Sequence, residues 1–269
     1  MKQSSTVYLL ATGTQDVERL RLLNQAYGPA SQALLRRAGL AEGARVAEIG
    51  CGVGNMTCWI ARAVGPKGAV VGLDKNLPQI EQARRQAAEL RLTNVTFQEG
   101  DAYAPDLPRE SFDIAYCRLV LIHLKRPVEA LRAFRDLVRP GGRVVCEELE
   151  LGQWLCNPPS PCMERSVELQ VKLGERYGED YRLGSGLPRL FREAGFAAPE
   201  VSAHFPLVFH GEMKRLLWMT FQQFAPSIVQ EGLATQEEVK QIALDMKRLA
   251  DDDTTLLGLP LTVQVWAVK

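Results

Sequence analysis

An α/β protein with a doubly wound, mostly parallel sheet is the fold class this sequence predicts, on three observations. Apolar runs of strand length recur at 44–49, 69–74, 95–99, 112–117 and 143–147. Between them lie 55–64, 78–90 and 127–138, where apolar residues repeat at three- and four-residue spacing. A glycine-rich turn, Gly50-Cys51-Gly52-Val53-Gly54, stands directly after the first run. Strands that alternate with helices form βαβ units, and the right-handed crossover places every strand's carboxyl end on one edge of the sheet.

The rest of the chain is read against that alternation. A helix over 187–195 leads into a sixth strand at 200–209, and the final run, 261–269, alternates apolar and polar residues. No helix ahead of that last run returns it in parallel sense, so the last two strands are expected to pair antiparallel. Two stretches stand outside the pattern, 148–185 after the fifth strand and 211–257 after the sixth, and both emerge at the carboxyl edge. Amphipathic segments at 17–27 and 31–38 make residues 1–40 an N-terminal helical cap, ahead of a main domain over 41–269 that carries both insertions. There are no internal repeats and no low-complexity linker.

Composition narrows the partners. Lysine plus arginine and aspartate plus glutamate number 32 each, so the net charge is zero and gives no electrostatic case for nucleic acid or an anionic membrane. The first twenty residues contain no apolar core of signal-peptide length, and no later segment reaches the length of a membrane span; a soluble cytoplasmic protein is expected. The six cysteines form no CxxC pair and only three histidines accompany them, so no metal site is expected and reduced thiols are. Cys156 and Cys162 flank a proline-rich loop and are the pair most open to oxidation.

The glycine turn carries the chemistry. A strand that runs through such a turn into a helix lets backbone approach a ligand. A dinucleotide fold wants GxGxxG, yet the residue three places after Gly52 is Asn55, and Glu48 lies two residues before Gly50, where a pyrophosphate disfavours negative charge. With GxGxG, Glu48 and a second acid, Asp74, at the end of the next strand, the chain resembles the class I S-adenosylmethionine-dependent methyltransferases. The resemblance continues through Gly100-Asp101-Ala102, through FDIAYCRLVLIHL at the fourth strand and LVRPGGRVV into the fifth, covering roughly residues 34–145 in order. It implies a Rossmann-like, seven-stranded sheet whose last strand is antiparallel, with helical lid insertions, and S-adenosylmethionine as cofactor.

The same resemblance implies roles. Backbone at Gly50, Gly52 and Gly54 meets the methionine part of the cofactor, and Glu48 serves its ammonium group through water. Asp74 accepts the ribose hydroxyls, Lys75 lays its stem along the adenine, and Asp101 with the backbone of Ala102 reads the adenine edge. Arg118 stands where the family presents a carbonyl near the ammonium group. A weaker resemblance to bacterial methyltransferases of secondary metabolism brings Tyr8 and Arg19 over the methionine end.

For the methyl acceptor, NPPS at 157–160 is similar to a motif of DNA amino-methyltransferases, but it follows the fifth strand rather than the fourth and is read as a proline-built loop. The two insertions and the N-terminal cap can fold over the carboxyl edge as a lid, which favours a small acceptor enclosed away from water. Aromatic residues in or beside the insertions (Trp154, Tyr177, Tyr181, Phe209, His210, Trp218, Phe221 and Phe224) suit an aromatic or apolar metabolite, and Trp154, His210 and Trp218 are the candidate contacts. His123, just past the fourth strand, is the candidate base. Of Glu147 and Glu148, one orients the acceptor, with Glu148 preferred, and the other faces solvent. Competing readings are methylation of a protein or RNA, and a cofactor-binding protein that does not turn over; a homodimer is left open.

Overall fold

The computed structural model describes residues 17–269; Tyr8 and the first part of the N-terminal cap lie outside the described residues. In chain order the elements are α1 (Val17–Arg37), β1 (Arg45–Ile49), α2 (Asn55–Val64), β2 (Ala69–Asp74), α3 (Leu77–Glu89), β3 (Val95–Glu99), β4 (Phe112–Arg118), α4 (Pro127–Leu137), β5 (Val138–Glu150), β6 (Leu155–Asn157), α5 (Pro161–Tyr177), α6 (Leu187–Glu193), β7 (Glu200–His204), β8 (Leu207–Val208), α7 (Arg215–Gln230), α8 (Gln236–Asp251), β9 (Leu256–Gly258) and β10 (Leu261–Val268). Seven strands form one sheet in the order β3-β2-β1-β4-β5-β10-β7. The first five are mutually parallel, and β10 runs antiparallel between β5 and β7. The predicted sheet, including its antiparallel end, is the one observed.

Local chemistry accounts for the elements that frame the site. Val46, Ala47 and Ile49 in β1 are fully buried because β1 is central and covered on both faces. α3 starts where Asn76 accepts the N–H of Gln79 at 3.1 Å, with Pro78 in its first turn. α4 opens on Pro127 and buries Ala130, Leu131, Phe134 and Leu137 along one stripe. The strand ends are level: Ile49 pairs with Leu73 and with Cys117, and Arg118 with Glu147, so the residues that follow them share one edge.

Three expectations change. The two N-terminal segments are one helix, α1, that runs through Gly28-Pro29. Tyr27, Leu34 and Leu35 are buried along it, and Tyr27 donates its hydroxyl to the carbonyl of Pro260 at 2.8 Å; packing on both sides of the proline outweighs its missing N–H. The sixth strand stops at His204 because Pro206 has no N–H for the ladder, and the chain crosses to a second, three-stranded sheet ordered β6-β9-β8. The first insertion does not begin at 148, since β5 continues to Glu150 against β10. Beyond that, α5, α7 and α8 pack against one another, and α1 packs on α7. Among the described residues no helix is long and apolar enough to cross a membrane.

Candidate active site

The carboxyl edge of the parallel strands opens into a cavity of about 690 Å³, within the ~300–1,000 Å³ of small-molecule sites. One part of its wall comes from the sheet: Glu48, Gly50, Gly52, Asp74, Lys75, Asp101, Ala102 and Arg118. The other part comes from the end of β5, the chain between β5 and α5, and α5 and α7: Leu149, Leu151, Trp154, Met163, Val167, Leu216, Leu217 and Phe224. Most of the predicted cofactor residues are thus brought onto one wall.

The three glycines of the turn all have positive φ, at 73° for Gly50, 54° for Gly52 and 84° for Gly54, a region that disfavours other residues. Their surroundings differ. A Cβ on Gly50 would meet the Val120 side chain at 2.3 Å, and one on Gly54 would meet that of Ala83 at 2.9 Å. A Cβ on Gly52 would meet only Gln79 Oε1, at 3.2 Å. Gly52 is therefore the open cradle in the cavity wall. Gly54 is not part of that wall; it allows α2 to begin against α3.

Asp74 holds the turn. Its Oδ2 accepts the Gly52 N–H at 2.8 Å and its Oδ1 accepts the Asn76 N–H at 2.9 Å. Each carboxylate oxygen keeps a further lone pair for a ligand hydroxyl. Burial raises the pKa of Asp74 against these backbone hydrogen bonds. Glu48 is 4% exposed and accepts the Thr57 hydroxyl at 2.5 Å. Burial pushes it up to about 7, against the Thr57 hydrogen bond and the positive charge of Arg118. The Arg118 guanidinium donates to Ser31 Oγ and to Asn24 Oδ1, both at 3.1 Å, and so ties the end of β4 to α1. Asp101 is exposed at the cavity and accepts the Tyr103 N–H at 2.9 Å. Lys75 is exposed, and Arg19, buried on α1, is also in the wall.

His123 lies in a one-turn 3-10 helix, Leu121–His123, after β4; it is 8% exposed and part of the cavity wall. Its ring meets that of Tyr181 edge-on at 5.8 Å.

Three proposed acceptor contacts are not on the wall. Glu148 is wholly buried, and its carboxylate accepts the N–H groups of Val120 at 3.1 Å, Leu121 at 2.8 Å and Ile122 at 3.4 Å. Burial still pushes it up to about 8. Glu147 does not face solvent either: it accepts from the Tyr116 hydroxyl and from Gln264 Nε2, each at 2.7 Å. Adjacent strand residues point to opposite faces, and both faces of β5 are covered here. Trp218 stacks under Arg215 and Lys247, at 5.6 and 5.8 Å, because α7 turns Leu216, Leu217, Thr220 and Phe224 to the cavity and Trp218 away from it. His210 is exposed beside Phe209. Trp154 alone of the four lines the cavity. Sequence reasoning did not single out Gln170 and Ser166, which α5 places in the wall; their signal is polarity on a helix face that is otherwise buried. Among the described residues no cluster of His, Cys, Asp and Glu is arranged to hold a metal.

The chain is 29% identical over 188 residues to demethylmenaquinone methyltransferase of Lactococcus lactis, covering 63% of this chain and 72% of that enzyme. It is 33% identical over 143 residues to aklanonic acid methyltransferase of a Streptomyces species, covering 53% and 63%. A transposon protein of Streptomyces fradiae is 34% identical over 154 residues, and there the chain spans less than half of the relative, 44%. Among solved structures, a putative methyltransferase of Bacillus halodurans superposes with a TM-score of 0.60 at 16% identity, covering 88% of this chain and 97% of that one. The [4+2]-cyclase SpnF superposes with a TM-score of 0.54 at 20% identity, covering 97% and 98%; the fold is therefore not confined to methyl transfer. The family described as a methyltransferase domain matches residues 40–190, more than half of the chain, and the protein belongs to it.

Proposed function

We propose that this protein transfers a methyl group from S-adenosylmethionine to a small, partly apolar or aromatic metabolite enclosed beneath α5, α7 and α8. The observation that carries the reading is that one cavity wall joins the Gly52 cradle and Asp74 to apolar side chains of the two insertions. The donor supplies an electrophilic methyl on a sulfonium that leaves as a neutral thioether. Gly52 gives the methionine part room, Asp74 accepts ribose hydroxyls, and Asp101 with Ala102 meets the adenine. Glu48 offers negative charge to the donor's cationic end.

The helices over the carboxyl edge act as the lid, and the apolar wall excludes water from the reacting atoms. His123 takes the acceptor's proton. The demethylmenaquinone and aklanonic acid enzymes are named for ring-bearing metabolites, which is the acceptor class this wall suits. Neutral overall charge disfavours a nucleic-acid acceptor. The test is calorimetry with S-adenosylmethionine, followed by incubation of the protein and methyl-labelled donor with fractionated extract. Label in a small organic-soluble product is expected. Absence of donor binding, or label confined to protein or RNA, overturns the reading.

A further inference from the structure

α5 turns one stripe to the cavity. Met163, Ser166, Val167 and Gln170 follow the i, i+3, i+4, i+7 spacing that one helix face holds together, and all four line the cavity. Such a stripe is apolar where it packs in a core, and Met163 and Val167 keep to that pattern. Ser166 and Gln170 break it, although Ser166 is buried and Gln170 is only 7% exposed. α7 adds a third polar residue to the same cavity, the half-buried Thr220.

The hydrogens of these side chains are largely spent within the helices. The Ser166 hydroxyl donates to the Met163 carbonyl and the Thr220 hydroxyl to the Leu216 carbonyl, each at 2.8 Å. A hydroxyl has one hydrogen, so toward any further partner both are acceptors. Gln170 Nε2 donates to the Ser166 carbonyl at 3.1 Å. Only the nitrogen of a carboxamide can serve a carbonyl, so this bond fixes which end of the side chain is Oε1. Among the described residues no N–H or O–H donates to Oε1, and that oxygen is not one of the fully buried side-chain atoms that lack a partner. It therefore keeps open surface, on a residue that is otherwise buried and lines the cavity. A ligand that covers this oxygen without a donor leaves it desolvated and unpaired; one that brings an O–H or N–H does not.

We infer that Gln170 sets acceptor specificity: the metabolite held against α5 and α7 carries a hydroxyl or N–H on its apolar body and donates it to Gln170 Oε1. Analogues in which that donor is masked as an ether bind more weakly. The inference rests on the reading of this wall as the acceptor's space. The Ser166 carbonyl holds the amide in place, since exchanging its ends would set oxygen against oxygen. Gln170 moves no proton; it selects and orients.

The test uses two probes of similar shape, 2-naphthol and 2-methoxynaphthalene, titrated by calorimetry into full-length protein saturated with S-adenosylhomocysteine. 2-Naphthol is expected to bind the unmutated chain about tenfold more tightly, the worth of one hydrogen bond. Gln170→Met, close in volume and without the amide, should bring the two probes within about twofold of each other while the affinity for S-adenosylmethionine holds. Gln170→Leu is the second variant. Equal affinities in the unmutated chain overturn the inference, whether or not a variant folds. So does a preference for 2-naphthol that survives in folded Gln170→Met or Gln170→Leu. If S-adenosylhomocysteine binds and neither probe does, the wall is not the acceptor's space, and the functional reading falls together with the inference.

Discussion

The backbone N–H of Gly52 donates to Asp74 Oδ2 at 2.8 Å, so the turn after β1 and the acid that ends β2 form one structural unit. The acid both shapes the cradle and lines the cavity that the cradle opens into. Losing it should be felt twice, in the ligand and in the turn.

Asp74→Ala is therefore expected to weaken S-adenosylmethionine binding by at least the ~1.5–3 kcal/mol of a charge-assisted hydrogen bond. It also leaves the Gly52 N–H without its acceptor, so a lower melting temperature should accompany the weaker binding. Calorimetry and thermal unfolding of the same sample check both parts. Unchanged affinity would remove Asp74 from the ribose site.

The glycines separate binding from packing. Gly52→Val puts a side chain into the cavity at φ 54° and should abolish cofactor binding with a stability loss of about 1–2 kcal/mol. Gly54→Val adds to the same backbone strain a collision between α2 and α3, its Cβ lying 2.9 Å from that of Ala83, and should unfold at lower denaturant than Gly52→Val. Urea titrations of the two variants check the order. The reverse order would show that the turn, rather than the helix contact, is the rigid part.

Much of this was legible in the sequence, for a physical reason. The central strands are buried on both faces, so they read as apolar runs, and the positions at their carboxyl ends follow from register alone. That places Glu48, Gly52, Asp74 and Asp101 without knowledge of any side-chain direction. The insertions carry no such constraint. An aromatic residue on a helix belongs to the cavity or to the surface according to a rotation of about 100° per residue, and Trp218 falls on the wrong side of α7. Glu148 owes its partners to a chain segment that approaches only in the folded state, so no local pattern announces them.

Donor binding is expected to depend on pH through Glu48. Its pKa stands at about 7 through burial, and a cationic ligand beside it favours the ionised form. Affinity for S-adenosylmethionine should rise as pH increases from 6 to 8, with release of a proton on binding below pH 7. Glu48→Gln should remove that part of the dependence. Calorimetry in two buffers of different ionisation enthalpy measures the proton directly, and equal proton release from both proteins would disconnect Glu48 from the ligand.

Stability should show the opposite trend. Glu48 and Glu148 bind protons more tightly folded than unfolded, with values of about 7 and about 8 against an ordinary 4.5. The folded state holds more protons between those values, so their contribution is full below pH 4.5 and is lost as pH climbs to 8. Glu148→Gln should lose less stability than the unmutated protein between pH 5.5 and 8, measured by urea unfolding. Glu148→Ala, which leaves backbone N–H groups of residues 120–122 without an acceptor, should cost at least about 2 kcal/mol at every pH.

The acceptor side is tested by two tryptophans that the sequence does not distinguish. Trp154 lines the cavity, so Trp154→Ala removes apolar wall from the space left for the acceptor. A large side chain's burial is worth about 1.5–3 kcal/mol, and the acceptor KM should rise tenfold or more while the affinity for S-adenosylmethionine holds. Trp218 instead stacks with Arg215 and Lys247 away from the cavity. Trp218 is half-buried against the core as well, so Trp218→Ala should lower the melting temperature through lost packing and leave both constants unchanged. Steady-state kinetics on the acceptor found in extract decides between them. A raised acceptor KM in Trp218→Ala, with none in Trp154→Ala, would mean that α7 rotates to bring its other face over the ligand, and the acceptor wall drawn here would be the wrong one.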